Sequence, residues 1–295
     1  MFSSKYNDGI ETSHGRLAIR LDGPQGGIPL LLLQRFRGTL DDWDPAFLVA
    51  VARDRRIIRF DSAGVGRSNG TVPATIGGMA AIAADVVAVL GLSQVDVLGW
   101  SLGGAAGLEF ALNFPHLVRR LIVAGSSPGP VADGPQQHPR VPHVMTKSEN
   151  DEDDFLFLFY PSSECATAAG RASLARIRSQ PDCGPATSPL ALMMQVKAMS
   201  SWPGILHRAS ELRLPILVAN GAHDVMIPAY RSYVLSQQAP NAKLMLYPDA
   251  GHAFLFQGAR TRAVRNRTLR ANRLRTYATR RSPAGIRSDR NPFGI

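Results

Sequence analysis

The 295-residue chain is predicted to adopt an α/β fold, a mainly parallel sheet with helices on both faces and a helical cap inserted between two strands. Three observations predict it. Short apolar, β-branched runs alternate with helical patterns along most of the chain. Two of these runs, Leu30-Leu31-Leu32-Leu33 and Ile216-Leu217-Val218-Ala219, are apolar without a break, as strands buried on both faces must be. A stretch of different composition, about 130–205, interrupts the alternation.

In chain order, strands are expected at 16–21, 28–33, 56–60, 95–99, 120–123, 215–219 and 243–247. The clearest helix is expected at 75–90. There Met79, Ile82, Ala83, Val86, Val87 and Leu90 fall at helical spacing and make one apolar stripe, and Gly91 supplies the stop. A second helix opens after Ser101 and a third after Pro228. The cap stretch begins rich in Pro and Gly and then passes an acidic cluster, Glu149, Asp151, Glu152, Asp153 and Asp154. The aromatic run 155–160 follows, with helical patterns at 168–177 and 190–200. The acids read as a solvated face, because no ligand spacing stands out among them. The aromatic run reads as packing of the cap onto the core, with one or two of its rings left to line a pocket.

Composition bounds the rest. A hydrophobic content of 45% is enough for a sizeable core. The net charge of +10 resembles a nucleic-acid signal until it is located. Segment 258–295, with 11 Arg, no Lys and one Asp, holds all of it, and the body is neutral. A nucleic-acid partner is therefore disfavoured, and the chain divides into a body, 1–257, and an atypical, partly disordered basic tail, 258–295. The two cysteines, Cys165 and Cys183, read as reduced thiols and form no zinc site by themselves. No apolar run is long enough to cross a membrane, and the first residues show no secretory pattern, so a cytoplasmic protein is expected.

Gly99-Trp100-Ser101-Leu102-Gly103 carries the chemistry. It follows an apolar strand and precedes a helix-compatible run, so Ser101 is placed on a tight strand-to-helix turn. A serine hydroxyl becomes a nucleophile only when a base takes its proton. Of the seven histidines, His252 and His223 sit just beyond a core strand, and His252 is the expected base. Asp224, just past the strand at 215–219, is the expected acid that fixes the imidazole tautomer. Asp133 competes for that role from a Pro/Gly-rich stretch, and His223 reads as a loop residue beside the acid. The oxyanion donors are expected to be the backbone N–H of Leu102 and that of Phe36, in the loop Gln34-Arg35-Phe36-Arg37-Gly38. No cofactor or metal is needed. The turn Gly64-Val65-Gly66 lacks the Lys-Ser/Thr ending of a phosphate loop.

Together these residues resemble the α/β-hydrolase superfamily, over roughly 15–257, and within it the small capped hydrolases: esterases, carbon–carbon bond hydrolases and cofactor-free haloperoxidase-like proteins. The order Ser101, Asp224, His252 is the order that fold uses. The run 60–68 resembles the family's Asp-x-x-Gly-x-Gly-x-Ser turn, in which Asp61 reads as structural. Two departures stand out. Gln34-Arg35 occupies the place of a common His-Gly pair, and Arg35 and Arg37 read as solvated loop residues rather than attractors of an acidic substrate. After Gly258 the chain turns to Arg, Thr and Asn where the family has a closing amphipathic helix, which reads as a replacement such as a shifted frame would produce. The resemblance implies an esterase-type serine hydrolase acting on a carboxylic ester, thioester or similar carbonyl of a small molecule. A non-catalytic small-molecule binder on the same scaffold and haloperoxidase-like activity are the alternatives.

Overall fold

The computed structural model describes residues 9–257; the basic segment 258–295 lies outside the described residues. A short hairpin of β1 (Ile10–Thr12) and β2 (Gly15–Leu17) stands apart from the main sheet. That sheet contains β3 (Ile19–Asp22), β4 (Leu30–Leu33), β5 (Ile57–Phe60), β6 (Val95–Trp100), β7 (Val118–Ala124), β8 (Ile216–Gly221) and β9 (Ala242–Tyr247). Its order is β3-β5-β4-β6-β7-β8-β9, with β3 antiparallel to β5 and the other pairs parallel.

The strand expected at 16–21 is two strands, β2 and β3, broken at Ala18. Ala18 N donates to the Ser68 hydroxyl instead of to a strand, while its carbonyl still accepts from Asp61 N. The unbroken leucine run of β4 serves two cores at once. Leu31 and Leu33 face one with β6 Val97, while Leu30 and Leu32 face the other with Leu98 and Trp100. The first core is covered by α2 (Ile76–Val89) and α3 (Leu102–Asn113). In the second, α1 (Pro45–Ala52) packs Phe47 and Leu48 with Trp43, Trp100 and Phe256.

Helix α1 has no apolar periodicity that singles it out. It starts because Asp44 caps it, accepting from Ala46 N at 2.8 Å, and Pro45 occupies its first turn. Helix α2 opens as expected at Thr75, whose hydroxyl accepts from Gly78 N, and Gly91 turns away at φ 65°. Between β7 and β8 come α4 (Val141–Met145), α5 (Glu152–Phe159), α6 (Glu164–Arg178) and α7 (Pro189–Ser200). Helix α8 (Ala229–Gln238) follows Pro228 and packs beside β8 and β9.

The acidic cluster is not uniformly solvated. Asp151 caps α5 by accepting from Asp154 N, and Asp154 is 2% exposed, with Lys147 Nζ at 2.8 and 2.7 Å from its two oxygens. The Lys147 bond holds the Asp154 carboxyl below its usual range, against the opposing effect of burial.

Candidate active site

The chain runs from β4 outward to β5 and then back past β4 to β6, so the strand order reverses between β4 and β6. A crevice opens at the carboxyl ends of strands at such a point. Ser101 follows β6 there. Its backbone is held at φ 57°, ψ −119°, a conformation that costs a serine of order 1–3 kcal/mol and that the surroundings must enforce. Ser101 N donates to Ala124 O at 2.9 Å, and its carbonyl accepts from Ser126 Oγ at 2.7 Å and from Gly104 N at 2.8 Å. The flanking glycines are required sterically. A Cβ on Gly103 would overlap the carbonyl oxygen of Leu33, and one on Gly99 would overlap that of Gly103. Leu102 N–H, at the first position of α3, has no intrahelical acceptor and lies at the positive end of the helix.

His252 follows β9 and is 1% exposed. Its Nδ1 lies 2.7 Å from Asp224 Oδ2, and its ring packs against those of Trp100 and Phe159, with centroids 5.9 and 5.8 Å away. Trp100 Nε1 donates to the His252 carbonyl at 2.9 Å. Asp224, past the end of β8, accepts at Oδ1 from Met226 N (2.9 Å) and Ile227 N (2.8 Å), which leaves Oδ2 for the imidazole. Nε2 of His252 is buried and has no hydrogen-bond partner among the described residues, and His252 and Ser101 both line a cavity of about 510 Å³. His223 and Asp133 are exposed. Among the described residues no cluster of His, Cys, Asp or Glu is arranged to hold a metal.

The loop 34–39 forms another wall of this cavity. Gln34 closes it from within: its Oε1 accepts from Arg35 N and its Nε2 donates to Thr39 O, both at 2.8 Å. Phe36 is 6% exposed and lines the cavity, and its N–H has no acceptor among the described residues. The two arginines of the loop are not solvated. Arg35 lies over the rings of Trp100 (5.6 Å) and Phe159 (5.2 Å) and bonds Asp42 at 3.1 Å. Arg37 takes φ 61°, donates its N–H to Gln195 Oε1 at 2.9 Å, and spends its guanidinium on the carbonyls of Met145, Lys147 and Ser148. Burial and the neighbouring Arg35 lower the Arg37 pKa.

The same stretch anchors the helices between β7 and β8 a second time. Buried Asp44 receives Arg176 of α6 at 2.8 and 2.6 Å, and Asp41 receives Arg67 at 2.6 Å and Gly184 N at 2.8 Å. Asp61 holds the segment from beneath, accepting from Leu40 N (2.6 Å) and Arg67 N (2.9 Å), and burial pushes its carboxyl up to about 6. The sequence reading of Arg37 as a solvated loop residue missed its bonds to Gln195 and to the carbonyls of Met145, Lys147 and Ser148, and the Asp44–Arg176 pair was not identified. The only local signal was Asp44-Pro45 at a helix start.

Comparisons with known proteins agree on the fold. The family described as alpha/beta hydrolase fold matches residues 28–259. The chain is 30% identical over 237 residues to the "Putative carbamate hydrolase RutD" of Rhizobium rhizogenes, covering 76% of this chain and 85% of that one. It is 25% identical over 240 residues to a pimeloyl-[acyl-carrier protein] methyl ester esterase of Nitrosomonas europaea, covering 80% and 93%. Among solved structures, an alpha/beta hydrolase fold protein from Chitinophaga pinensis superposes with a TM-score of 0.77 at 32% identity, covering 88% of this chain and 94% of that one.

Proposed function

The chain belongs to the α/β-hydrolase fold family and is a hydrolase of that fold; on this premise we propose that it cleaves a carboxylic ester, thioester or similar carbonyl of a small molecule through Ser101, His252 and Asp224. One observation carries the reading. The buried 2.7 Å bond between Asp224 and His252 Nδ1 leaves Nε2 as the unpaired nitrogen of a ring that lines the same cavity as Ser101. The proton then sits on Nδ1, and Nε2 has a lone pair to accept the Ser101 hydroxyl proton as Oγ attacks the carbonyl carbon. The oxyanion that forms is met by the N–H groups of Leu102 and Phe36. The imidazolium returns its proton to the leaving group. Water, deprotonated by the same Nε2, then releases the acyl group and restores Ser101.

Under this reading the helices α4–α7 form the cap over the site, and the substrate enters between them and the loop 34–39. The two exposed free thiols, Cys165 and Cys183, fit a reducing compartment such as the cytoplasm.

The test is intact-mass analysis after a fluorophosphonate, on the wild type, Ser101→Ala and His252→Ala. One adduct on the wild type, none on the Ser101 variant and slow addition on the His252 variant is the expected result. No adduct on the folded wild type would sink the serine mechanism and favour a non-catalytic binder.

A further inference from the structure

A cation that lines a largely apolar cavity is costly unless acceptors surround it. Arg35 is incompletely satisfied in this respect. Its side chain is 15% exposed. Of its five N–H bonds, one goes to Phe36 O at 2.9 Å and one to Asp42 Oδ1 at 3.1 Å. Nε is buried with no acceptor. Asp42 is itself shared, since its Oδ2 already accepts from Thr39 N at 2.7 Å and Thr39 Oγ1 at 3.0 Å. The faces of Trp100 and Phe159, the rings that also flank His252, hold the guanidinium in place.

The other charged groups of the cavity are engaged elsewhere or peripheral. Arg37 is spent on backbone carbonyls, Asp41 is paired with Arg67, and Glu149 lies on the exposed rim. Arg35 is therefore the cation with unspent donors in the cavity that Ser101 lines, a cavity whose apolar lining includes Leu158 and Met226.

We infer that Arg35 makes this site selective for short substrates that carry a carboxylate in addition to the carbonyl under attack, such as the half-esters of dicarboxylic acids. The planar guanidinium suits a planar carboxylate, the carbon chain lies on the apolar wall, and the scissile carbonyl reaches Ser101. The inference rests on the proposed function for the identity of the scissile bond, but the binding preference can be tested without turnover.

The experiment measures, by calorimetry on Ser101→Ala protein, the affinity for monomethyl glutarate and for its uncharged analogue dimethyl glutarate. The half-ester is expected to bind tighter by about tenfold or more, the scale of a charge-assisted hydrogen-bond pair. Adding Asp42→Asn removes the competing carboxylate and should tighten half-ester binding further, a gain that a damaged fold would not give. Adding Arg35→Met together with Asp42→Asn should erase the preference, and Arg35→Lys should keep part of it. Equal affinity for both ligands, no binding of the half-ester, or a preference that survives the Arg35→Met/Asp42→Asn pair would overturn the inference. Fluorophosphonate labelling of the wild type separates the two failures. Labelling without an anion preference removes only the role of Arg35. A preference without labelling leaves an anion-binding site and removes the hydrolytic reading.

Discussion

Asp224→Asn should leave a folded protein that has lost its base. Asp224 makes three bonds, two of them buried and the one from Ile227 N part-buried. Oδ1 accepts two backbone N–H groups, from Met226 and Ile227, and Oδ2 faces His252 Nδ1. An asparagine can keep the first two only by placing its amide oxygen at Oδ1, since an NH2 there would oppose two donors. That choice aims the NH2 at Nδ1 and makes Nδ1 the acceptor. The imidazole proton then moves to Nε2, the nitrogen that accepts from Ser101 in the proposed mechanism. The expected loss in kcat/KM is about 10³–10⁴-fold, or roughly 4–5.5 kcal/mol of transition-state stabilisation. Stability should change little, because the bonds to Met226 N, Ile227 N and His252 Nδ1 are all kept. Asp224→Ala instead leaves two backbone donors and Nδ1 unsatisfied in the core, at roughly 1–3 kcal/mol each. Hydrolysis of p-nitrophenyl acetate and urea unfolding of both variants check the pair. An asparagine variant within about tenfold of wild-type activity, or one as unstable as the alanine variant, would refute the reasoning.

Other changes should read out equally directly. Gly103→Ala drives a methyl into the Leu33 carbonyl, so an unfolding free energy lower by about 2–4 kcal/mol and loss of fluorophosphonate labelling are expected. Wild-type stability in that variant would show that the α3 start does not press on β4. Arg176→Met leaves the Asp44 carboxylate buried with only Ala46 N and should cost about 3–5 kcal/mol, whereas Asp44→Ala/Arg176→Met should cost less than the single change. Additive losses in urea unfolding would count against the pair. Asp61, with a pKa raised from 3.8 to about 6, binds its proton in the folded state over a range where the unfolded chain has released it. Its contribution to stability is therefore full below about pH 4 and falls by roughly 3 kcal/mol as pH rises through 6. Asp61→Asn should remove that slope from unfolding curves at pH 4, 5, 6 and 7, and an unchanged slope would contradict the assignment.

Much of this was legible before the structure. The interior strands β4, β6 and β8 are buried on both faces, so their apolar residues form runs that no surface segment would carry. The helix after Ser101 announces itself because the Gly-x-Ser-x-Gly glycines exist for contacts made within a few residues of the serine and with the adjacent strand. Asp224 and His252 could be named because each lies within a few residues of a strand end, and parallel strands deliver their ends to one edge. Segment 15–22 was less readable. Its break at Ala18 depends on Ser68, fifty residues away, and no local propensity records such a partner.

The arginines of the loop 34–39 show where sequence stops. Composition makes an arginine beside a glycine in a loop a solvated residue. Whether its charge meets water, a carbonyl or a ring is decided by what the rest of the chain brings opposite it. Arg37 is occupied by carbonyls more than a hundred residues away, and Arg35 by two aromatic rings from β6 and α5. The sequence by itself determined the sheet, the strand-to-helix turn at Ser101 and the chain order of the three candidate catalytic residues, because these follow from local periodicity and steric need. Only the tertiary structure decided the pairing of Asp224 with His252, the anchoring of the α4–α7 helices on residues 37–44 and the surroundings of Arg35, because the free energy of a buried charge depends on neighbours that the chain supplies from afar.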